Sequence, residues 1–351
     1  MWFIVLLGAV LRLYRLGHQS LWYDELFTVL VAKRPFPEML NRLITGDVHP
    51  PLYYIFEHAL MQMGTAEIMA RFVPLIFSIL SVPLFYRLAR LWLGATGALV
   101  AVGLLAVSPF HVLFAQEARM YAMLGFWVLG MVYFFQQAWR NGRTRDWSFF
   151  ALFLTLSLYT HNLAFLYLLA IDLYAILTGI RHRWRPFLAA HTAAFIALSP
   201  WVWVWISQVE RVQAGFWALP PSPLGLFLAI YLVLFGPSAP PWLAPMGLTA
   251  VLLLLAFMAS KVVRNRLFPN GLFLAACLFL VPLFVLYGLA FIRPVFVERI
   301  FLPASFGLYV WLAWGILHVP PHWLNRLAGS VLLLVMAISL VNYDTNPDVQ
   351  K

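Results

Sequence analysis

Apolar runs close to the length of a bilayer-spanning helix recur along the whole chain, and they restrict its fold more than any other feature. A helix needs about 20 mainly apolar residues to cross the hydrocarbon core, where exposed backbone groups find no water. The runs lie near residues 1–16, 72–92, 95–114, 119–138, 147–160, 163–179, 186–206, 242–260, 270–292, 298–318 and 325–341. They predict an all-α polytopic membrane protein, a single domain over residues 1–351 with about 11 transmembrane helices.

The composition excludes a water-soluble fold. Apolar residues make up 63% of the chain and charged residues 10%, whereas soluble domains average roughly 45–50% apolar and about 25% charged residues. The net charge of +10 comes largely from short basic clusters between apolar runs, which is typical of membrane topology and not of nucleic-acid binding. Cys277 is the sole cysteine, so the chain has no internal disulfide.

Two regions outside the main runs are predicted to lie on the extracytoplasmic side. Residues 18–71 mix charged and aromatic residues, and they predict a large first loop with two interfacial helices, near 24–45 and 50–63. A short run at 223–236 predicts a membrane-dipping helix within a second region, 207–241. Prolines flank that run on both sides: Pro220, Pro221, Pro223, Pro237, Pro240 and Pro241. We expect no C-terminal soluble domain after the last apolar run.

Lysines and arginines predict the orientation of the chain in the membrane. Twelve of them lie in alternate loops: Arg87, Arg90, Arg140, Arg143, Arg145, Arg181, Arg183, Arg185, Lys261, Arg264, Arg266 and Arg326. The intervening loops, apart from the first, hold only four: Arg119, Arg211, Arg293 and Arg299. Cytoplasmic loops carry an excess of these residues, so the first set is predicted to be cytoplasmic. Arg12 and Arg15 run against this pattern.

The orientation also predicts how the region 147–179 crosses the membrane. Arg145 and Arg181 belong to the same side, so an even number of spans must join them. The region should therefore form two short helices that meet at the sequence YTHN, residues 159–162. Asp172 lies within the second of these helices, where we expect it to bond a neighbouring span.

Four stretches with ionisable residues converge on the predicted outer face. They are WYDELFT at 22–28, HPPLYY at 49–54, FAQEARMYAM at 114–123 and RPVFVERIF at 293–301. Each places a charge beside the end of an apolar helix. Charge is costly near hydrocarbon, so such residues usually face an aqueous cavity and pair with one another. These stretches predict that the outer face carries the chemistry.

Each of these candidate residues also has a structural explanation that needs no function. Asp24 and Glu25 are also the residues that would cap a following helix, since carboxylates are favoured at helix N-termini. Glu117 and Arg119 would equally form a simple interfacial pair, and His49 before two prolines would equally be an ordinary loop residue. The nine histidines form no HExxH motif or spaced ligand set, which gives a built-in metal site little support.

In their order along the chain, the motifs resemble those of a known enzyme family. The resemblance rests on LRLYRLGHQSLWYDELFT, HPPLYYIFEHAL, ARFVPLIFSILSVPLFYRLARLWLG, SPFHVLFAQEARMYAML, YTHNLAFLYLLA and RPVFVERIFLPA. They are similar to GT-C fold polyprenyl-phosphate-sugar glycosyltransferases of glycosyltransferase family 39, the protein O-mannosyltransferase type, to which the lipid A aminoarabinose transferase is related. The resemblance covers nearly the whole chain.

The resemblance implies a GT-C fold, a polyprenyl-phosphate-sugar donor and an active site on the non-cytoplasmic face. It matches the family's acidic pair to Asp24 and Glu25, its second outer acidic residue to Glu117, and its late basic residue to Arg299. The family usually has Arg-Tyr at the last position, where this chain has Ile300 after the arginine. Because we expect no large C-terminal domain, the acceptor is left open among a lipid, a glycan and a protein.

The residue types suit an inverting sugar transfer. Asp24 is the predicted general base for the acceptor hydroxyl, and Glu25 or Glu117 would orient the base or bind sugar hydroxyls. Arginine offers a charge-assisted fork to phosphate, so three arginines are predicted phosphate ligands: Arg71, Arg119 and Arg299. Six further residues are predicted to bind substrate: His49, Tyr53, Tyr54, Tyr121, His161 and Glu298. A divalent metal between carboxylates and phosphate is left open as a cofactor.

A transporter or flippase of lipid-linked sugars is the alternative function. It would also need outer arginines, but it would favour inward-facing charges near the midplane and internal repeats, and the sequence offers only Asp172 and no evident repeat. A membrane scaffold would explain the spans but not the clustered outer carboxylates. The predicted partners are therefore the lipid-linked donor, the acceptor and membrane lipid, without nucleic acid.

Cysteine labelling tests the predicted orientation. In a Cys277→Ala background, single cysteines beside Asp24, Glu117 and Glu298 should react with an impermeant reagent from one side of the membrane. Cysteines beside Arg143 and Arg183 should react from the other side. Labelling of the Glu117 and Arg143 positions from the same side would contradict the arrangement.

Overall fold

The structure is a computed structural model that describes residues 1–64, 67–214, 222, 224–265, 270–293, 295–318 and 322–346. Four residues discussed above lie outside the described residues: Pro220, Pro221, Pro223 and Arg266. The described residues contain helices and no strand.

Sixteen α-helices are present in the described part of the chain. They are α1 Trp2–Leu13, α2 Tyr23–Ala32, α3 Phe36–Gly46, α4 Leu52–Met61, α5 Glu67–Ala70, α6 Phe72–Ala106, α7 Pro109–Ala115, α8 Tyr121–Asn141, α9 Thr144–Thr160, α10 Phe165–Thr178, α11 Trp184–Ala214, α12 Gly225–Phe235, α13 Ala244–Asn265, α14 Asn270–Ala290, α15 Leu302–His318 and α16 His322–Thr345. Short 3-10 turns join some of them, at Asn162–Ala164, Ile180–His182, Pro241–Leu243 and Glu298–Phe301.

Five helices are long and apolar enough to cross a membrane among the residues described: Phe72–Ala106, Trp184–Arg211, Gly271–Ala290, Glu298–His318 and His322–Thr345. The protein is therefore an integral, multi-pass membrane protein. Several other helices are apolar but shorter, and α12 coincides with the predicted membrane-dipping run. The count of about 11 transmembrane helices stays a prediction.

Helix α6 contains a break that divides it into two apolar segments, as the sequence predicted. At Gly94 the backbone has φ 72° and ψ −173°, a conformation that glycine adopts without the steric cost paid by other residues. The second predicted run, 95–114, does not continue as one helix. It stops at Val107, and Pro109 opens α7 with the Ser108 hydroxyl accepting the His111 N–H, because proline suits only the first turn of a helix.

Helix α15 lies at the centre of the bundle, packed against α6, α8, α13, α14 and α16. Its closest approach is to α14 at Gly307, where a Cβ atom would overlap the carbonyl oxygen of Ala275. Small residues allow such backbone contact between membrane helices. The central position of α15 matters for the site because the turn that leads into it carries Arg299.

Arg12 is one of the two arginines that run against the charge pattern, and its buried contacts explain its position. Its guanidinium donates to the Ser78 hydroxyl at 2.8 Å, and to the carbonyl oxygens of Gly8, Leu105 and Ala106 at 2.9, 3.2 and 3.1 Å. Two of these carbonyls lie at the C-terminal end of α6, where a positive charge is favourable. Arg12 therefore joins α1 to α6, and its place is set by packing and not by membrane topology.

The two predictions for the region 147–179 are confirmed. Helices α9 and α10 meet at residues 159–162, as expected from the orientation of the flanking arginines. Asp172 on α10 bonds the neighbouring α11, where its Oδ1 lies 3.0 Å from Nε2 of His191.

The first outer loop differs from its prediction in one respect. The expected helix at 24–45 is two helices, α2 and α3, separated by residues 33–35. Pro35 causes the break, because proline lacks an N–H group and disfavours helical geometry in the residue before it. The second expected helix, 50–63, is α4, and the short α5 follows it.

Candidate active site

Glu25 connects three segments of the chain through its hydrogen bonds. Its Oε2 accepts the Trp22 backbone N–H at 3.2 Å, so it closes a capping box at the start of α2. Its Oε1 accepts the Ala118 N–H at 2.7 Å, in the turn between α7 and α8. Arg71 donates to both oxygens, at 3.1 and 2.9 Å. The capping reading is thus correct for Glu25, but capping is only one of its contacts.

Arg71 is buried and uses all five of its N–H donors within the protein. Besides the two bonds to Glu25, it donates to the carbonyl oxygens of Leu16, Gln19 and Ser20. These carbonyls belong to the segment between α1 and α2, so Arg71 holds that segment against the start of α6. No donor is left for a phosphate in this arrangement.

Asp24, the neighbour of Glu25, faces the accessible side of the site. Arg299 donates from Nη1 to Asp24 Oδ2 at 3.0 Å, and the two side chains are 11% and 28% exposed respectively. The guanidinium also lies over the rings of Trp22 and Tyr121, 5.4 and 5.6 Å from their centroids. These aromatic faces attract a cation and hold it in place.

Arg119 lies below this pair and is buried. It donates from Nη1 to the Thr28 hydroxyl at 2.9 Å and to the Asp24 backbone carbonyl at 3.3 Å. Glu117, two residues earlier, is also buried and interacts electrostatically with Arg299 and Tyr121. The turn between α7 and α8 therefore supplies both an acidic residue, Glu117, and a positively charged residue, Arg119, to the site.

Asp47 anchors His49 on the opposite side of the first loop. Asp47 Oδ1 lies 2.9 Å from His49 Nδ1 and accepts the His49 backbone N–H at 3.1 Å, while Oδ2 accepts the Tyr54 hydroxyl at 2.6 Å. Burial alone would raise the pKa of Asp47, but His49, Tyr54 and Arg119 together hold that pKa well below its ordinary value. Asp47 is therefore a stable buried carboxylate.

His161, in the YTHN turn, lies between His49 and Tyr121. The ring centroids are 5.5 and 5.9 Å away, respectively. Its Nδ1 accepts the Leu163 backbone N–H at 3.0 Å. Burial and the nearby His49, Arg119 and Arg299 lower the pKa of His161 well below its ordinary value, so the imidazole is neutral.

Two amides clamp the backbone around His49. Asn162 donates to the Val48 carbonyl at 2.9 Å, and Gln208 donates to the His49 carbonyl at 2.9 Å. Asn162 also donates to Gln208 at 3.2 Å, which links the YTHN turn to α11. The first loop is thus tied to two membrane helices at the position of His49.

The structure brings most of the predicted site residues together, but not all of them. Asp24, Arg299, Tyr121, His161 and His49 follow one another across the site through the contacts above. Three other predicted substrate-binding residues are buried or half-buried. Tyr53 and Tyr54 are fully buried inside the packed loop, and Glu298 is half-buried in the turn before α15.

Sequence reasoning missed Asp47, Asn162 and Gln208. An aspartate two residues before His49 is a pattern typical of a side-chain-capped turn and was a usable signal. Gln208 lies 159 positions from His49 along the chain, and nothing local marks it. Among the described residues, no group of three His, Cys, Asp or Glu side chains is arranged to hold a metal ion.

The arrangement of helices belongs to the GT-C class, as comparison with solved structures shows. The chain is similar to ArnT from Cupriavidus metallidurans in the apo state, with a TM-score of 0.67 and 14% identity over 92% of this chain and 60% of that one. ArnT from the same organism bound to undecaprenyl phosphate gives 0.63 and 16%, over 93% and 62%. The archaeal oligosaccharyltransferase AglB from Archaeoglobus fulgidus, in complex with an inhibitory peptide and a dolichol-phosphate, gives 0.59 and 12%, over 96% and 54%.

The sequence itself matches one family model. Residues 48–205 match dolichyl-phosphate-mannose-protein mannosyltransferase, a region that includes HPPLYY, FAQEARMYAM and YTHN. The match covers less than half of the chain, and comparison with curated proteins gives none. The chain spans about three-fifths of the length of ArnT. These likenesses confirm the GT-C fold predicted from the sequence.

Glu57 on α4 is a fully buried acid behind the site. Burial raises its pKa to about 8, the nearby Glu25 adds to the rise, and the hydroxyl of Tyr53 acts in the opposite direction. Glu57 is therefore protonated at neutral pH, which spares the loop a second buried negative charge beside Glu25.

Glu57 should make the stability of the protein depend on pH. The unfolded chain releases this proton near pH 4.5 and the folded chain near pH 8, so the folded state binds more protons between these values. Stability should therefore fall as the pH rises through that window. In thermal unfolding from pH 5.5 to 9, Glu57→Gln should reduce the fall seen in the parent, while Glu38→Gln, at an exposed position, should not. Equal slopes in the parent and Glu57→Gln would contradict the assignment.

Proposed function

We propose that the protein is an inverting glycosyltransferase that moves a sugar from a polyprenyl-phosphate donor to a hydroxyl group of a lipid, glycan or protein. The observation that carries the proposal is the position of Arg299. Its guanidinium is partly exposed, stacked between Trp22 and Tyr121, and paired with the carboxylate of Asp24. A cation and a proton acceptor thus lie side by side where α2 meets the turn that leads into α15.

Arg299 is the proposed ligand of the donor phosphate. The donor is a phosphodiester, and arginine binds phosphate oxygens with charge-assisted hydrogen bonds. Arg119 adds positive charge below it. Arg71, in contrast, is engaged with Glu25 and three backbone carbonyls, so we assign it a structural role in place of the predicted phosphate contact.

An apolar cavity farther along α15 suits the polyprenyl chain. It has a volume of about 320 Å³ and lies between α12, α14 and α15. Its lining includes six apolar side chains, from Leu226, Phe227, Phe279, Leu283, Leu308 and Trp311. Arg299 lies in the turn that leads into α15, and Leu308 and Trp311 of the cavity lie farther along that helix, so α15 leads from the proposed phosphate ligand to the cavity.

Asp24 is the proposed general base. Binding of the anionic donor would draw Arg299 toward the phosphate and release Asp24 from its ion pair. The freed carboxylate accepts the proton of the acceptor hydroxyl while the hydroxyl oxygen bonds to the anomeric carbon. The bond from that carbon to the phosphate oxygen breaks, and polyprenyl phosphate leaves with its charge stabilised by Arg299. A single displacement of this kind inverts the anomeric centre.

Glu25 and Glu117 have separate proposed roles. Glu25 accepts four hydrogen bonds from protein groups, so it positions Asp24 and does not exchange protons with substrate. Glu117 is buried near Arg299 and Tyr121, where it helps to orient the guanidinium.

The site is proposed to lie on the extracytoplasmic face of the cell membrane. The site residue His161 and the basic cluster at Arg143 lie at opposite ends of α9, a helix of 17 residues. At about 1.5 Å per residue, that helix separates them by roughly 25 Å. The charge pattern of the loops assigns the arginine-rich end to the cytoplasm. The transport alternative has no comparable support, because the acids and bases of the proposed site gather around the first loop, whereas away from it the described helices show the isolated pair of Asp172 and His191.

Replacement of Arg299 tests the phosphate assignment. Arg299→Ala should weaken binding of undecaprenyl phosphate by about tenfold or more, because a charge-assisted hydrogen bond is lost. Arg185→Ala is the matched control: it removes one positive charge from an exposed arginine in the predicted cytoplasmic set. A lipid-binding assay in detergent gives both values. Equal affinities in the two variants would remove Arg299 from the donor site.

Replacement of Asp24 tests the proton acceptor. Asp24→Asn keeps the size of the side chain but removes its charge and its basicity. Sugar transfer, or slow donor hydrolysis, should fall by roughly 10²–10⁴-fold, which is the usual contribution of a general base. Binding of undecaprenyl phosphate should change far less. A folded variant with near-parent turnover would contradict the role and make Glu117 the next candidate.

A further inference from the structure

We propose that His49 and His161 form a binding pair for two neighbouring hydroxyl groups of a sugar, and that Asp47 is the positioning residue of this pair. The inference rests on the proposed function, because it names what the site recognises besides phosphate. It depends on the hydrogen bonds that determine which nitrogen of each imidazole carries a hydrogen.

Asp47 determines the state of His49. An ionised carboxylate only accepts hydrogen bonds, so His49 Nδ1, 2.9 Å from Asp47 Oδ1, must be the donor. In the neutral imidazole the lone pair then lies on Nε2. The His49 side chain is 17% exposed, and no described residue bonds its Nε2. In this neutral form His49 presents a hydrogen-bond acceptor to the site.

The backbone determines the state of His161 in the opposite sense. Nδ1 of His161 accepts the Leu163 N–H, so Nδ1 has no hydrogen. Because this histidine is neutral, its hydrogen must be on Nε2. No described residue accepts from that nitrogen. His161 thus presents a hydrogen-bond donor.

An acceptor and a donor side by side match the chemistry of a sugar. Each hydroxyl group both donates and accepts, so one hydroxyl can donate to His49 while its neighbour accepts from His161. The two rings are 5.5 Å apart and nearly perpendicular. A phosphate has no hydrogen to give to the lone pair of His49, so this half of the pair recognises a hydroxylated ligand.

The surroundings keep the pair rigid. The His49 backbone is held by Gln208, and the adjacent Val48 carbonyl by Asn162 of the YTHN turn. Tyr121 connects the pair to Arg299, since its ring centroid is 5.9 Å from the His161 ring and 5.6 Å from the guanidinium carbon of Arg299. The sugar-binding pair and the proposed phosphate ligand therefore lie beside the same aromatic ring, as a sugar linked to phosphate requires.

Lipids with and without a sugar separate the two parts of the site. Affinities for undecaprenyl phosphate, bare or carrying mannose, glucose, galactose or arabinose, are measured in detergent at pH 8. The quantity of interest is the ratio of the best sugar-bearing affinity to the bare affinity. Asp47→Ala should lower this ratio by about tenfold, the factor for leaving a hydroxyl group unmatched. Asp47→Asn should lower it less, because its amide oxygen still accepts from His49 Nδ1.

Substitutions of His49 distinguish hydroxyl binding from phosphate binding. Gln at this position keeps an acceptor at similar reach, so His49→Gln should retain most of the ratio. Lysine offers only donors, so in His49→Lys the ratio of the two affinities should fall to near one. This variant should still bind the bare lipid at least as well as the parent. If His49 instead met the phosphate, lysine would preserve both affinities and glutamine would weaken both. That result would overturn the proposal.

Binding of the bare lipid reports that each variant is folded, and Glu38→Gln controls for loss of one acidic charge from the same loop. If Asp47→Ala fails to bind the bare lipid, the two His49 variants decide the question. A ratio near one in the parent, or an unchanged ratio in both Asp47→Ala and His49→Lys, would overturn the hydroxyl pair. Arg299→Ala should lower both affinities and leave the ratio unchanged. If it lowers neither, the phosphate assignment falls while the hydroxyl pair stands.

Discussion

The buried ion pair between Glu25 and Arg71 is the interaction on which the rest of the site depends. Both side chains are almost fully enclosed, and together they bond the segment after α1, the start of α2 and the turn before α8. Removing one partner of such a buried pair typically costs about 3–5 kcal/mol, because the other charge is left uncompensated. The pair therefore makes the first loop a fixed part of the membrane domain.

That fixed loop explains why two adjacent carboxylates are useful. Successive residues of a helix point about 100° apart, so Glu25 turns into the protein while Asp24 turns toward Arg299. The inner acid is saturated with hydrogen bonds, and the outer acid keeps one ion pair on an accessible surface. The position of each residue, and not its type, separates the structural carboxylate from the proposed general base.

The arginines divide in the same way. Arg12 caps the end of α6, and Arg71 donates all five of its N–H groups to the first loop. Arg299 lies over aromatic rings, and part of its surface is exposed. All three violate the expectation that outer loops are poor in arginine. Only the last combines partial exposure with a position over two aromatic rings beside Asp24, which is why we propose that the donor phosphate binds there.

The sequence by itself determined the membrane class, the helical architecture, the pairing of α9 with α10 and most of the residues in the site, because apolar length and charge asymmetry are local properties of the chain. It also marked Asp24 and Arg299 through motifs. It did not determine which polar groups face each other, since His49 and Gln208 lie 159 positions apart and meet only in the folded bundle. The hydrogen-bond partners of Arg71, and the tautomers of His49 and His161, were decided by the tertiary structure, because a donor or acceptor acquires its role from the atom placed opposite it.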